Sequence, residues 1–171
     1  MGQHGFSNFT LTVQDSVHAW PRSIGDVLEK VLIHSLINAA DHGYILPAQR
    51  ARAHEEPAFR IEARLVADRV QIKITDHGAG VDLAKIRKLA EKRHIPIEND
   101  QSVMEVLFFD GVTTVEQVTA TSGRGVGLPA IRSLVMAAHG EVRIQSNQNE
   151  PGTTLILEFP SSHFFATADA A

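Results

Sequence analysis

Cysteine is absent from the 171 residues, which removes disulfides, thiolate nucleophiles and cysteine-bound zinc at a stroke and fits a cytoplasmic protein. Blocks of like charge are missing too. Sixteen Lys and Arg stand against 20 Asp and Glu, a net charge of -4, so no electrostatic footprint for nucleic acid is present. No apolar run is long enough to span a bilayer, which argues against membrane insertion. The opening "MGQHGFSNFT" has neither the basic start nor the apolar stretch of a secretion signal. Internal repeats and low-complexity linkers are also lacking. What is there, 43% hydrophobic and 21% charged residues, suits one globular domain over residues 1–171, with a core from about 6 to 160 and a flexible tail at 161–171.

The residues are punctuated into helices and strands. "FTLTVQ" alternates as a half-buried strand at a sheet edge does. A helix follows, with Ser23 as candidate N-cap, a stripe through Val27, Leu28, Val31, Leu32, Ser35 and Ala39, and Gly43 as its stop. "FRIEARLVADRVQIKITD" divides at Ala67-Asp68 into two alternating strands, a hairpin that ends at Asp76. Asp82 is expected to cap "VDLAKIRKLAEKRH" and Ser102 to begin the shorter helix "SVMEVLFF". The stretch from Phe109 to Ser122 has weak periodicity and is expected to be a mobile loop. "LPAIRSLVMAAHG" is helical with Gly140 as C-cap, and "EVRIQSN" and "TTLILEF" form a second hairpin. This order predicts an α/β two-layer sandwich: a mixed, mostly antiparallel sheet covered on one face by helices.

Three constellations carry chemical potential. His34, Asn38, Asp41 and His42 share one helical face beside the apolar stripe, at the rim of the core. Such groups line pockets, although polar residues also gather at helix C-termini for capping and dipole reasons, and a zinc site from His34, Asp41 and His42 would need a convergence the spacing does not demand. Asp76 ends a strand and is followed by glycines at 78 and 80. A carboxylate there, over bare backbone, is a good acceptor for an exocyclic amine, and an ordinary Asp-x-Gly turn is the plain alternative. Gly123, Gly125 and Gly127 precede a helix start and would expose amide donors to phosphate. They match neither a Walker loop nor a dinucleotide fingerprint; a flexible hinge is the plain alternative.

Taken in order, "NAADHG", "DHGAGVD", "LFFDGVTTVEQVTATSGRGVGL" and "GTTLILEFP" resemble the ATP-binding fold shared by gyrase, the Hsp90 chaperone, histidine kinases and MutL (the GHKL, or Bergerat-type, fold). The likeness is closest to the kinase domain of the chemotaxis histidine kinase CheA. That resemblance implies ATP and Mg2+ as cofactors. By it Asn38 would hold Mg2+ bridging the phosphates, His34 would assist attack on the γ-phosphate as base or orienting group, and Asp41 and His42 would lie near the phosphates. Asp76 would hold the adenine amine, with a water bridged by Thr153. Gly78 and Gly80, with Ser122, Gly123, Arg124, Gly125, Val126, Gly127 and Leu128, would shape the pocket, and Arg124, Lys85 and Lys88 would contact phosphate. The segment Asp110–Ser122 would be the lid over ATP.

Two departures stand out. Ile37 occupies the place where the family pattern usually carries arginine, so one phosphate-directed charge is missing. Pro129 follows the glycines, where a first-turn proline is tolerated. The resemblance implies transfer of the γ-phosphoryl group to a histidine on a separate domain or protein, then to a response regulator in two-component signalling, with any dimerisation through regions not in this chain. The alternative is a catalytically weak GHKL-fold regulator that binds a protein partner, in the manner of anti-sigma factors.

Overall fold

The computed structural model describes residues 10–17, 19–38, 58–78, 80–109, 112, 127–146 and 152–165. The chain runs β1 (Thr10–Asp15), α1 (Arg22–Asn38), β2 (Ala58–Val66), β3 (Arg69–Asp76), α2 (Leu83–Lys92), α3 (Asp100–Glu105) continued by a 3-10 turn (Val106–Phe108), α4 (Leu128–Ala137), β4 (Glu141–Ser146), β5 (Thr153–Pro160) and a second 3-10 turn (Ser161–His163). The sheet order is β1-β2-β3-β5-β4. β1 pairs parallel with β2, and every other pair is antiparallel. The mixed, mostly antiparallel sheet expected from the sequence is therefore present, with β1 at an edge.

Strand alternation divides the sheet into two faces. Phe59, Ala63, Val70, Ile72, Ile74, Val142, Ile144, Leu155, Leu157 and Phe159 point to the buried side, where Ile24, Val27 and Val31 of α1, Ile86 and Ala90 of α2, Val103 of α3, and Ile131 and Val135 of α4 complete the core. The other face, which also holds the buried Ile156, is mostly polar and linked across strands: Arg64 donates to Gln71 (3.2 Å), Gln71 to Glu158 (2.8 Å), and Arg143 to Glu158 (2.9 Å). One helical layer on one sheet face is the two-layer sandwich.

Helix ends refine the sequence reading. Asp82 caps α2 as expected, accepting from the Lys85 backbone N–H at 3.0 Å. Ser23 does not cap α1. It lies inside the helix, because the Pro21 carbonyl already takes the Ile24 and Gly25 N–H groups at 3.0 and 2.9 Å. Ser102 does not begin α3 either; Asn99 is the N-cap, and Ser102 sits three residues on as the returning half of a capping box. The Gly43 stop of α1 and the loop between Phe109 and Ser122 lie outside the described residues, save Phe109 and Val112.

Gly140 is not the left-handed cap of α4. His139 is, with φ 56, and the bonds from Gly140 N–H to Val135 O and from His139 N–H to Met136 O, both 2.9 Å, close a Schellman motif. α2 ends the same way on His94, φ 55, with Ile95 N–H bonded to Ala90 O at 3.0 Å. Left-handed backbone costs an L-residue with a Cβ more than it costs glycine. His94→Gly is therefore expected to stabilise the fold by about 0.5–1 kcal/mol, net of the extra chain entropy glycine brings to the unfolded state. Chemical denaturation checks it, and an unchanged midpoint would mean that the imidazole makes a compensating contact.

The tail is a further correction. Residues 161–165 are folded against the core: Ser161 N–H bonds the Asp68 carbonyl at 2.8 Å, and Phe164 is buried with its ring 5.4 Å from Trp20 and 6.4 Å from Phe159. An aromatic of this size removes too much apolar surface from water to stay loose. Residues 166–171 lie outside the description.

Candidate functional site

The C-terminal end of β3 and the start of β5 meet at one point, because their register pairs Asp76 with Thr153. The Asp76 carboxylate turns back on its own chain and accepts the Gly78 N–H at 2.9 Å, with Gly78 itself buried. Gly80 adopts φ +78, and a Cβ there would stand 3.2 Å from the Gly152 carbonyl oxygen and 3.6 Å from Ser146 Oγ. Gly152 is buried with φ 131. Two bare backbones thus lie against each other beside the carboxylate, a close approach that side chains would prevent.

Burial pushes the Asp76 carboxyl above the usual carboxylate range, opposed by backbone N–H donors of Gly78 and Thr153 and by the charge of His77. An ionised carboxylate held in so poorly hydrated a place gains more than a surface one from an incoming N–H donor.

The second piece sits on α1. His34 and Asn38 are one turn apart, and Asn38 Nδ2 lies 2.8 Å from His34 Nε2, so the amide NH2 donates to an unprotonated ring nitrogen. That leaves the amide oxygen Oδ1, the atom a hard cation takes, on the other side of the amide. Burial holds the His34 pKa below its ordinary 6.5, so the ring is neutral at pH 7. The folded pKa being depressed, the contribution of neutral His34 to stability is present above pH 6.5 and lost as pH falls through the lowered folded value. His34→Gln should therefore flatten the decline in melting temperature on acidification from pH 7 to 5. An unchanged slope would place the acid sensitivity elsewhere.

α1 packs on α4, whose first residues Gly127 and Leu128 have no side-chain cap and carry Pro129 in the first turn. Lys85 and Lys88 are exposed on α2, one turn apart on the helix that follows Gly80. The structure thus brings Asp76, Gly78, Gly80 and Thr153 into one cluster, and His34 and Asn38 into another. Asp41, His42, Ser122, Gly123, Arg124, Gly125 and Val126 lie outside the described residues. Gly152 and Ser146 were not singled out from the sequence; the only signal was the Pro151-Gly152 turn pair opening β5. Among the described residues no group of three His, Asp or Glu side chains is placed to hold a metal, and no helix is long and apolar enough to cross a membrane.

Residues 24–163 match the family described as histidine kinase-, DNA gyrase B- and HSP90-like ATPases. The chain belongs to that ATPase family. The matched span of the ATPase domain contains every described candidate residue, from His34 to Thr153, while β1 precedes it. Among curated proteins the ATPase domain is similar to the chemotaxis protein CheA of Halobacterium salinarum, 33% identical over 81% of this chain and 22% of that protein. It is also similar to CheA of Salmonella typhimurium, 32% identical over 88% and 23%, and to a gliding motility regulatory protein of Myxococcus xanthus, 30% identical over 81% and 19%. The chain thus spans about a fifth of the length of these relatives. Among solved structures, full-length ShkA in complex with AMPPNP superposes with a TM-score of 0.54 at 19% identity over 92% of this chain and 26% of that one. The mycobacterial sensor histidine kinase MprB superposes at 0.52 and 16% over 90% and 80%. At these identities the structural likeness speaks for the fold: the ATPase domain has the α/β architecture of histidine kinase catalytic domains.

Proposed function

We propose that this chain is the ATP-binding catalytic domain of a CheA-like histidine kinase, acting in the cytoplasm on a phosphoacceptor histidine of a separate domain or protein. The observation that carries this reading is the Asp76 carboxylate, half-buried and raised in pKa, beside backbone left bare by Gly78, Gly80 and Gly152. An adenine amine would supply this carboxylate with a further N–H donor beside that of Gly78, and Thr153, its register partner, would hold a bridging water.

The His34–Asn38 pair fits Mg2+. A cation that keeps most of its waters and binds phosphate oxygens needs only one or two protein ligands, and Asn38 Oδ1 is one. Bound there with ATP, Mg2+ would offset phosphate charge. His34 acts as the orienting partner of Asn38, since its Nε2 is engaged by the amide. Gly127 and Leu128 would present amide donors to the phosphates, and the exposed Lys85 and Lys88 would offset their charge; the roles expected of Gly123, Gly125, Arg124, Asp41 and His42 rest on the family resemblance alone. In the transfer step the acceptor imidazole nitrogen forms a bond to the γ-phosphorus while the bond to the bridging oxygen breaks, releasing ADP; the domain contributes position and charge stabilisation. The phosphoryl group then passes to a response regulator.

Calorimetric titration with a non-hydrolysable ATP analogue, with and without Mg2+, tests this reading. Magnesium-dependent saturation is expected for the parent and its loss for Asn38→Ala. His34→Ala should keep nucleotide affinity within about tenfold while phosphotransfer to an isolated histidine acceptor domain drops by at least ~100-fold. A parent that binds no analogue under either condition would point instead to a partner-binding regulator, the reading that Ile37, an apolar residue where the family pattern carries arginine, favours.

A further inference from the structure

The N-terminal turn of α4 has no side-chain cap, yet in the nucleotide reading its amides must point in one direction. The tie lies one turn further along. Arg132, four residues after Leu128 and so on the same helical side, reaches Glu105 Oε2 with Nη1 at 2.8 Å. Its guanidinium carbon lies 5.1 Å from the centre of the Phe108 ring. Glu105 closes α3, and Phe108 closes the 3-10 turn and is buried in the core. Arg132 therefore joins the last helical turns before residue 109 to the helix that starts at residue 128, by its edge to a carboxylate and by its face to a ring. The planar guanidinium can do both together; an ammonium group has no such edge and face.

We infer that Arg132 is a positioning residue for the polyphosphate: by fixing α4 against Phe108 and Glu105 it aims the Gly127–Leu128 amides, and so makes the site discriminate phosphorylated nucleotide from bare nucleoside. This rests on the nucleotide-site reading above. Arg132 and Glu105 side chains are 38% and 29% exposed, so the pair is partly screened, and with the ring contact it is worth about tenfold in an equilibrium constant.

The test is a titration of ATP, ADP and adenosine, each against the parent, Arg132→Met, Arg132→Lys and Glu105→Gln. The methionine variant keeps an apolar stem over Phe108 and is expected to bind ATP and ADP about tenfold more weakly, with adenosine unchanged and lysine restoring part of the loss. Glu105→Gln separates positioning from direct phosphate contact: a positioning Arg132 loses its anchor and ATP weakens, whereas an Arg132 that touched phosphate would be freed and ATP would tighten. Equal weakening of adenosine and ATP, no weakening at all, or tightening in Glu105→Gln each overturns the inference while leaving the nucleotide site intact. A parent that binds none of the three ligands overturns the site reading and the inference with it.

Discussion

Asp76→Asn should bind an ATP analogue about 10- to 100-fold more weakly than the parent and yet melt at a higher temperature at neutral pH. Both effects come from one atom group. The carboxylate is held by the Gly78 N–H at 2.9 Å in surroundings that raise its pKa through desolvation, so its ionised form costs the empty fold free energy. Asparagine keeps an oxygen for Gly78 but loses the charge that an amine donor would complement, and puts a donating NH2 where a carboxylate oxygen accepted. The pH dependence has a definite sign. A carboxyl raised in the folded state contributes stability that is complete below its unfolded value, near 3.8, and is lost as pH rises through the folded value. The melting-temperature advantage of the asparagine variant should therefore open with rising pH and close again below pH 3.8. Calorimetry for binding and a pH series of thermal melts measure the two effects separately. A variant that loses affinity without gaining stability would mean that other groups already compensate the half-buried charge.

Phe159→Ala is the largest stability loss to expect, about 3–5 kcal/mol, a substantial share of the whole for a domain that stands about 5–15 kcal/mol above its unfolded state. Phe159 is fully buried on β5, an interior strand of the sheet, and packs against Phe164 at 6.4 Å. From the other side Gly140 meets it: a Cβ at that glycine would stand 2.5 and 2.6 Å from two Phe159 ring carbons and 2.9 Å from a Val135 methyl. Nothing nearby is free to give way, so Gly140→Ala should also destabilise, by about 1–3 kcal/mol. The two changes should not add, since truncating the ring makes room for the extra methyl. A double variant as unstable as the sum would show that the two sites do not share this contact.

Gly140 also shows where sequence pattern misleads. A glycine after a helical stripe signals a left-handed C-cap, and one does close α4, but on His139; the glycine is required by a ring brought in from a strand further along the chain. Phe164 was hidden for the same reason, since its partners Trp20 and Phe159 are assembled only by the fold. Local signals read correctly where the causes were local: the Asp82 cap, the hairpin at Ala67-Asp68, the alternation of the β2 and β3 strands. In the site, Asp76 with Gly78 and Gly80 and the His34–Asn38 pair were visible because each lies within one short stretch. Gly152 and the Glu105–Arg132 pair were not, because each depends on two segments meeting across the sheet or between helices.

The position of β5 bears on how the chain is made. It is the last of the five described strands in chain order, yet it lies inside the sheet, hydrogen-bonded to β3 on one side and β4 on the other. Until it emerges from the ribosome, β1, β2 and β3 can pair, but β3 presents an open edge and β4 has no strand to pair with, so the five-stranded sheet waits for β5. A ribosome stalled before Thr153 would hold a chain with its core exposed, the kind that chaperones bind and proteases clear.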